Sequence, residues 1–582
     1  MNPDEQAEKI TTPPVRKRRR LRVRRLLRRG KRLLWNWSWL PLLLLSFGII
    51  AYYTVFPSRG AFHSDCTDTL MWAVASHEGG TLFNPDFKYA CLLPFGTSLI
   101  MQALIPLTGV TMTTHVLGML LFAILYTAAL IVMLRRLGCS WRWVAVCTGA
   151  ELMLCSGSDK LREIFWGHTI YYSLDMLFLF VGLALIFRFL DAQDVLNRTR
   201  DDKDSARAMR GMLVSFVLTG IWFILIGTDQ LISIAIVCLP LMAAVFAERW
   251  LDHRSKPVCL HNVQAACLLI LMALGMGCGY LITDRIVKHQ GVQALYEDAF
   301  SRYSAMSTWV EHIEKLPTEW FLLIGVKIAK EDPLMSIGSV KNLFIVITAV
   351  LLLVIPVIAL CCYGRIRDRK LRVLILAYWF MTTVLMMGYI MGKLHTAKWR
   401  LSPMLAFSVI VTVMFLRWAI RQVEWQRVMT MAMIPVLLVC MNNGYQILKM
   451  RPDNRADNKL YKLCSVLADE GLDYGYATFW NANGLTVVSD DAIRVRSVTI
   501  DEDGTFQPYY YQSMRTWFDD QPGQEEYFLL MEHAEELTML RYHISLYRAA
   551  DRRIAVGEDY AIWVFDHNIV EQIGRASCRE RV

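Results

Sequence analysis

The sequence predicts an α-helical polytopic membrane protein with a small α/β domain at its C-terminal end. Three observations lead there. The 582-residue chain is 55% hydrophobic and 12% aromatic, with mean hydropathy +0.33, too apolar for a soluble globule. Its apolar residues gather in runs of about 20, the length that crosses a bilayer as a helix. From Asn443 onward these runs stop, and residues 443–571 hold 12 basic and 22 acidic groups.

The N-terminal stretch, 1–34, reads as a basic cytoplasmic tail. Residues 1–32 carry thirteen basic and three acidic groups, so the tail alone accounts for the net charge of +10. Beside a membrane span such an arm fixes orientation and meets anionic membrane lipid, and no nucleic-acid partner is expected. The apolar run Trp39 to Phe56 follows at once. It lacks a small-residue cleavage site and reads as an uncleaved signal-anchor, with the tail inside.

Ten more spans follow, at about 112–134, 141–155, 169–189, 211–227, 231–248, 261–283, 340–362, 373–392, 401–418 and 428–443. The basic gaps around Arg135, Arg188 to Arg210, Arg249 to Lys256, Arg365 to Arg372 and Arg417 to Arg427 all fall on the inside of this alternation. The span at 141–155 is short enough to be re-entrant. Residues 35–443 therefore form the membrane domain. The first outer loop, 57–111, contains two stretches expected to lie as helices in the membrane interface, Thr69 to His77 and Phe95 to Leu107. Residues 444–571 read as an extracytoplasmic α/β domain, with strands at Thr486 to Val488, Ile493 to Ile500, Tyr527 to Met531 and Tyr560 to Phe565, and a helix at Asn458 to Glu470. The last ten residues, 573–582 (IGRASCRERV), read as the translation of a sequencing adapter and stand outside fold reasoning. The natural C-terminus is then expected a little further on. The other cysteines lack CxxC spacing. Cys66 and Cys91 share the first outer loop, as a pair or as free thiols.

Chemistry-bearing residues gather on the expected outer side. The motif His63-Ser-Asp65-Cys-Thr-Asp68 puts two carboxylates just past the first span. Asp68 also suits a helix N-cap, a role that leaves Asp65 unexplained. Asp175 lies inside the apolar run Tyr171 to Leu190, where a carboxylate needs a polar cavity or a partner such as His168 or Arg162. Asp229, in Gly227-Thr-Asp-Gln230, suits a site or a tight turn equally well. The gap Gly392 to Arg400 crowds Lys393, His395, Lys398 and Arg400 together. Positive charge set against the topology rule suits a phosphate at the membrane surface, while snorkelling is the plainer use. Gly275-Met-Gly-Cys-Gly279 sits mid-span and suits close helix packing better than a nucleotide loop.

Together these pieces resemble the GT-C superfamily of polyprenyl-phosphate-sugar-dependent glycosyltransferases, the group with protein O-mannosyltransferases and the lipid A aminoarabinose transferase. The likeness rests on the acidic motif after span one, the interface-helix loop, Asp175 near the outer end of the fourth span and Lys398-Trp-Arg-Leu-Ser-Pro403. The chain departs from the commonest pattern in having D-x-x-D rather than adjacent D-E, and Trp-Arg rather than Arg-Tyr. The resemblance implies a GT-C-like fold, a polyprenyl-phosphate sugar donor, an extracytoplasmic acceptor and an inverting transfer in assembly of a bacterial cell envelope. It implies Asp65 or Asp68 as base, Asp175 in support, His168 and Asp229 as secondary candidates, and Lys393, His395, Lys398 and Arg400 on the donor phosphate. A divalent cation held by acidic groups is an alternative stabiliser of that phosphate. The rival classes are a transporter or flippase of lipid-linked or anionic solutes, and a non-catalytic relative acting as an assembly partner.

Overall fold

A computed structural model describes residues 37–198, 201–250, 260–294, 302–327, 333, 335–393, 397–422 and 424–570. The basic tail, His395 and the adapter-like end lie outside them. Among the described residues nine helices are long and apolar enough to cross a membrane. They are α4 (Met112–Arg136), α7 (Tyr171–Arg198), α8 (Asp202–Gly227), α9 (Gln230–Trp250), α10 (Leu260–Gln290), α12 (Ile337–Cys361), α13 (Arg369–Met391), α14 (Ser402–Ala419, entered through a 3-10 turn from Lys398) and α15 (Gln426–Lys449). The other two expected spans are shorter: α1 (Trp39–Val55) has 17 residues and α5 (Trp141–Leu154) has 14. At 1.5 Å per residue α5 falls short of a hydrocarbon core of about 30 Å. It is largely buried, and Tyr126 of α4 donates to its Glu151 at 2.8 Å.

The helices have two chemically distinct ends. At one, Arg369 binds Glu248 and Asp194, Lys370 binds Asp191 and the Arg136 carbonyl, and Arg417 donates to the Gly138 carbonyl. The gaps rich in Lys and Arg thus converge. At the other end lie the loops carrying Asp65, His168, Arg302 and Arg400. Within the bundle α8 and α10 approach so closely that a Cβ on Gly279 would sit 2.1 Å from the Ile224 carbonyl oxygen, and one on Gly227 2.4 Å from that of Met276. The Gly275–Gly279 pattern is this seam.

The first loop holds α2 (Asp68–Gly79), strand β1 (Lys88–Tyr89) and α3 (Thr97–Thr108). The apolar stretch at 95–107 forms α3, which buries Met101 and Ile105 and leaves apolar Leu99 and Leu107 exposed. By contrast α2 is buried at every residue from Asp68 to Ser76. It is a core helix rather than an interface one, because the C-terminal domain covers it. Short α6 (Asp159–Trp166) and α11 (Trp309–Ile324) pack at the same end, and β2 (Gln293–Ala294) pairs in parallel with β1.

The C-terminal domain is a six-stranded mixed sheet of order β5-β4-β3-β6-β8-β7. Its strands are β3 (Tyr474–Thr478), β4 (Arg494–Ile500), β5 (Phe506–Pro508), β6 (Tyr527–Glu532), β7 (Arg552–Val556) and β8 (Tyr560–Phe565). Helices α16 (Lys459–Asp469), α17 (Ala482–Val488), α18 (His533–Tyr542) and α19 (Ile544–Ala549) complete it. Thr486 to Val488 is helical, not the strand its β-branched residues suggest: α17 is buried throughout, packed on the loop that carries Asp65, and that burial overrides propensity. The domain docks on the first loop. Asn458 donates to the carbonyls of Arg59 and Phe62, Trp72 to Gln512 at 2.6 Å, and Lys88 exchanges backbone bonds with the 512–513 segment.

Candidate active site

A 3-10 turn, Ser64–Thr67, feeds directly into α2 and carries the acidic motif. Asp68 is the first residue of the helix rather than its cap, and its side chain points across to α6–α7. There one carboxylate oxygen meets His168 Nε2 at 3.2 Å, and the other is buried with no hydrogen-bond partner among the described residues. Burial pushes the Asp68 carboxyl up to about 6; the His168 contact opposes this, and nearby Asp65 adds to it. Asp65 is half-buried, and its carboxylate makes no hydrogen bond or ion pair to a described residue. One acid is therefore locked in a buried pair and the other stands free beside it.

His63 opens the same motif and reaches Glu163 at 3.4 Å, and Glu163 also binds Lys160 at 2.5 Å. Although burial opposes it, His63 and Lys160 pull Glu163 down to about 2. Lys160 Nζ in turn lies over the Trp399 ring, 4.6 Å from its centroid. This chain of charge ties the acidic turn to the basic stretch at 398–401. Its only sequence signal is the i,i+3 spacing of Lys160 and Glu163.

Arg400 emerges beside Trp399 into a cavity of about 410 Å³. The walls are mainly apolar and come from the start of α7 (Tyr171, Tyr172), from α9 (Leu231 to Ile236) and from the end of α13 (Val384 to Gly392), and Arg302 joins Arg400 there. Arg400 has no side-chain partner among the described residues, and its guanidinium lies 3.2 Å from where a Gly392 Cβ would stand. The Lys393 amide donates to the Arg302 carbonyl, so Lys393 stands beside that arginine, and Lys398 is half-exposed in the turn before Arg400. Arg302 was not singled out in the sequence, because a single arginine in a long mixed-charge segment gives no pattern.

Asp175 is fully buried on α7 and takes a 2.6 Å hydrogen bond from Ser233. Its expected partners are engaged elsewhere: His168 with Asp68, Arg162 with Asp159 and the Ser156 carbonyl. No hydrogen bond joins Asp175 to Asp65 or Asp68 among the described residues. Ser233 precedes a π-helical turn, Ile234–Cys238, that interrupts α9, and buried Asp229 stands at the N-cap position of the same helix. Such π turns recur at functional positions. Cys66 and Cys91 are both buried and are not joined to each other by a disulfide. Among the described residues no group of three or more His, Cys, Asp or Glu is arranged to hold a metal ion.

The C-terminal domain also reaches the site, which sequence reasoning did not foresee. Tyr511 bridges to Lys88 in the first loop, and its phenol is pushed well up by burial and by the nearby acids Asp68, Cys91 and Asp65.

No protein-family model matches the sequence, and no curated protein does. Two similar solved structures are crystal structures of the Archaeoglobus fulgidus oligosaccharyltransferase. One is its complex with Zn and sulfate, with TM-score 0.44, 11% identity, 84% of this chain covered and 68% of that one. The other is tethered with an acceptor peptide containing the NVT sequon via a disulfide bond, with TM-score 0.43, 12% identity, 79% of this chain covered and 63% of that one. This chain thus spans about two thirds of their length. Likeness at that level fixes neither family nor chemistry.

Proposed function

We propose that this protein transfers a sugar from a polyprenyl-phosphate donor to an acceptor hydroxyl on the extracytoplasmic side of a membrane. The observation that carries the reading is the juxtaposition, at one end of the bundle, of a free carboxylate (Asp65) and an apolar inter-helix cavity holding two arginines. Residues 159–172 lie between them and belong to both: His168 pairs with Asp68, while Tyr171 and Tyr172 line the cavity. Leu231 and Met387 on the cavity wall are 66% and 52% exposed, which fits a lateral opening through which a lipid chain enters from the bilayer.

In this reaction the acceptor oxygen attacks the anomeric carbon, the carbon–phosphate-oxygen bond breaks, and the acceptor proton passes to Asp65 as general base. The leaving polyprenyl phosphate needs no acid. Its growing charge falls to Arg302 and Arg400, with Lys393 and Lys398 at the rim. Asp68 and His168 position the turn that presents Asp65. Asp175 holds α7 against the π turn of α9, which shapes the cavity wall. A single base with a cationic clamp gives one displacement and inversion, unlike the retaining two-carboxylate hydrolases, which displace twice. The orientation follows from the Lys- and Arg-rich end of the bundle facing the cytoplasm.

The test uses purified protein, a panel of polyprenyl-phosphate sugars and detection of released polyprenyl phosphate. Asp65→Asn is expected to lower turnover by about 10²–10⁴-fold while donor binding survives. Full turnover in Asp65→Asn would falsify the assignment of the base, and no release from any donor would remove the transferase reading.

A further inference from the structure

Above the acidic turn the C-terminal domain presents an edge built for something other than its own core. Thr478 of β3 and Pro508 of β5 flank Val498 of β4 in register, so Phe479 and Tyr509, the residues that follow each, start from the same level of the sheet on either side of β4. Phe479 lies 5.3 Å from Trp480, 6.3 Å from Tyr509 and 5.6 Å from Tyr511, ring centroid to centroid. Trp480 is 55% exposed and Tyr509 38%. The Trp480 ring also stands 6.5 Å from that of His63, so the cluster abuts the acidic motif.

Adjoining the rings in sequence or in the packed turn lie buried polar groups that no described residue satisfies. Asn481 is fully buried, and neither polar atom of its side-chain amide has a hydrogen-bond partner among the described residues. The same holds for Asn483 Oδ1, Gln512 Nε2 and Ser64 Oγ. Buried amides nearly always pair with protein, ordered water or a ligand, so a cluster of amides unpaired by protein has capacity for an added polar partner. Gln512 further holds a left-handed backbone, φ 56°, which costs energy in a non-glycine residue and marks functional segments.

We propose that Phe479, Trp480, Tyr509 and Tyr511 form a saccharide-stacking shelf that seats a sugar ring beside Asp65. The inference rests on the transferase reading for its purpose but not for its chemistry. A pyranose offers an apolar C–H face to aromatic rings and hydroxyls to unpaired amides, and the shelf offers both complements within one patch. A bilayer anchor would use the rings alone and leave the amides unexplained.

The experiment is saturation-transfer NMR on full-length protein in detergent micelles, with methyl α-mannoside, methyl β-glucoside and methyl β-galactoside as probes. Wild type is expected to transfer saturation to one face of at least one glycoside. Trp480→Ala and Tyr509→Ala should cut that signal about threefold or more, the scale of one lost aromatic contact, while Trp480→Phe keeps most of it. Both side chains are exposed, so equal melting temperatures will show that the variants fold. A signal abolished by a polyprenyl-phosphate sugar assigns the shelf to the donor's sugar; one that survives saturating donor assigns it to a saccharide acceptor. No saturation in wild type, or equal saturation in the alanine variants, overturns the shelf. So does a Trp480→Ala defect confined to retention in anionic phospholipid vesicles, the mark of a bilayer anchor. The measurement needs no turnover, so a silent transfer assay beside a Trp480-dependent signal defeats the transferase reading alone.

Discussion

Replacing Asp68 by Asn is expected to make the protein more stable at neutral pH and less active. Burial lifts the Asp68 carboxyl from 3.8 to about 6, a value that already contains the opposing pull of His168. That displacement corresponds to about 3 kcal/mol of instability once the group is ionised. The sign follows from proton binding. Between the two values the folded protein holds the proton and the unfolded chain does not, so the favourable contribution is complete below 3.8 and lost as pH rises through about 6. An amide carries no such charge and still offers a donor and an acceptor to His168. The variant should therefore melt higher than wild type by on the order of 2–5 °C at pH 8, with the gap shrinking to about a third of that at pH 4.5. Thermal unfolding in detergent at pH 4.5, 6 and 8 measures this directly. A variant that melts at or below wild type at pH 8 would show that the carboxylate is a net stabiliser and that the buried pair is structural.

Arg400→Ala and Arg302→Ala should each weaken donor binding with little change in the chemical step, read as a raised half-saturation for polyprenyl-phosphate sugar; a charge-assisted contact to phosphate is worth about 1.5–3 kcal/mol, or roughly 10- to 150-fold. Gly279→Val should lower the melting temperature and expression sharply, because its Cβ would stand 2.1 Å from the Ile224 carbonyl, whereas Gly277→Ala, with open space around it, should be neutral. Reporter fusions after Arg367 and Asn458 are expected to read cytoplasmic and external respectively; the same sidedness for both would contradict the alternation of spans.

The helices were legible because bilayer thickness and charge asymmetry write themselves into linear sequence. Run lengths near 20 residues predict spans, and the gaps around Arg136, Arg249, Arg369 and Arg417 meet at one end of the bundle as the alternation requires. Local chemistry also exposed Asp65, Asp68 and Arg400, whose charges are conspicuous against apolar surroundings. Contacts across long sequence separations were not legible. His168 lies closer in sequence to Asp175 than to Asp68, yet it pairs with Asp68 across 100 residues. Ser233 reaches Asp175 across 58 residues, and Gln512 accepts from Trp72 across 440. No periodicity encodes such meetings. Residues 486–488 were misread for the opposite reason: their β-branched side chains carry a local preference that tertiary burial overrules.

The docking of residues 511–514 onto Lys88 has a consequence for biogenesis. The acidic turn is made early, once the first loop has been synthesised. Its roof arrives only after more than four hundred further residues have been synthesised and every intervening helix has been inserted. A stalled or proteolysed chain that has already lodged in the membrane therefore carries the carboxylates of the first loop without the domain that packs on that loop. Completion of translation, rather than insertion, is the event that covers the acidic turn.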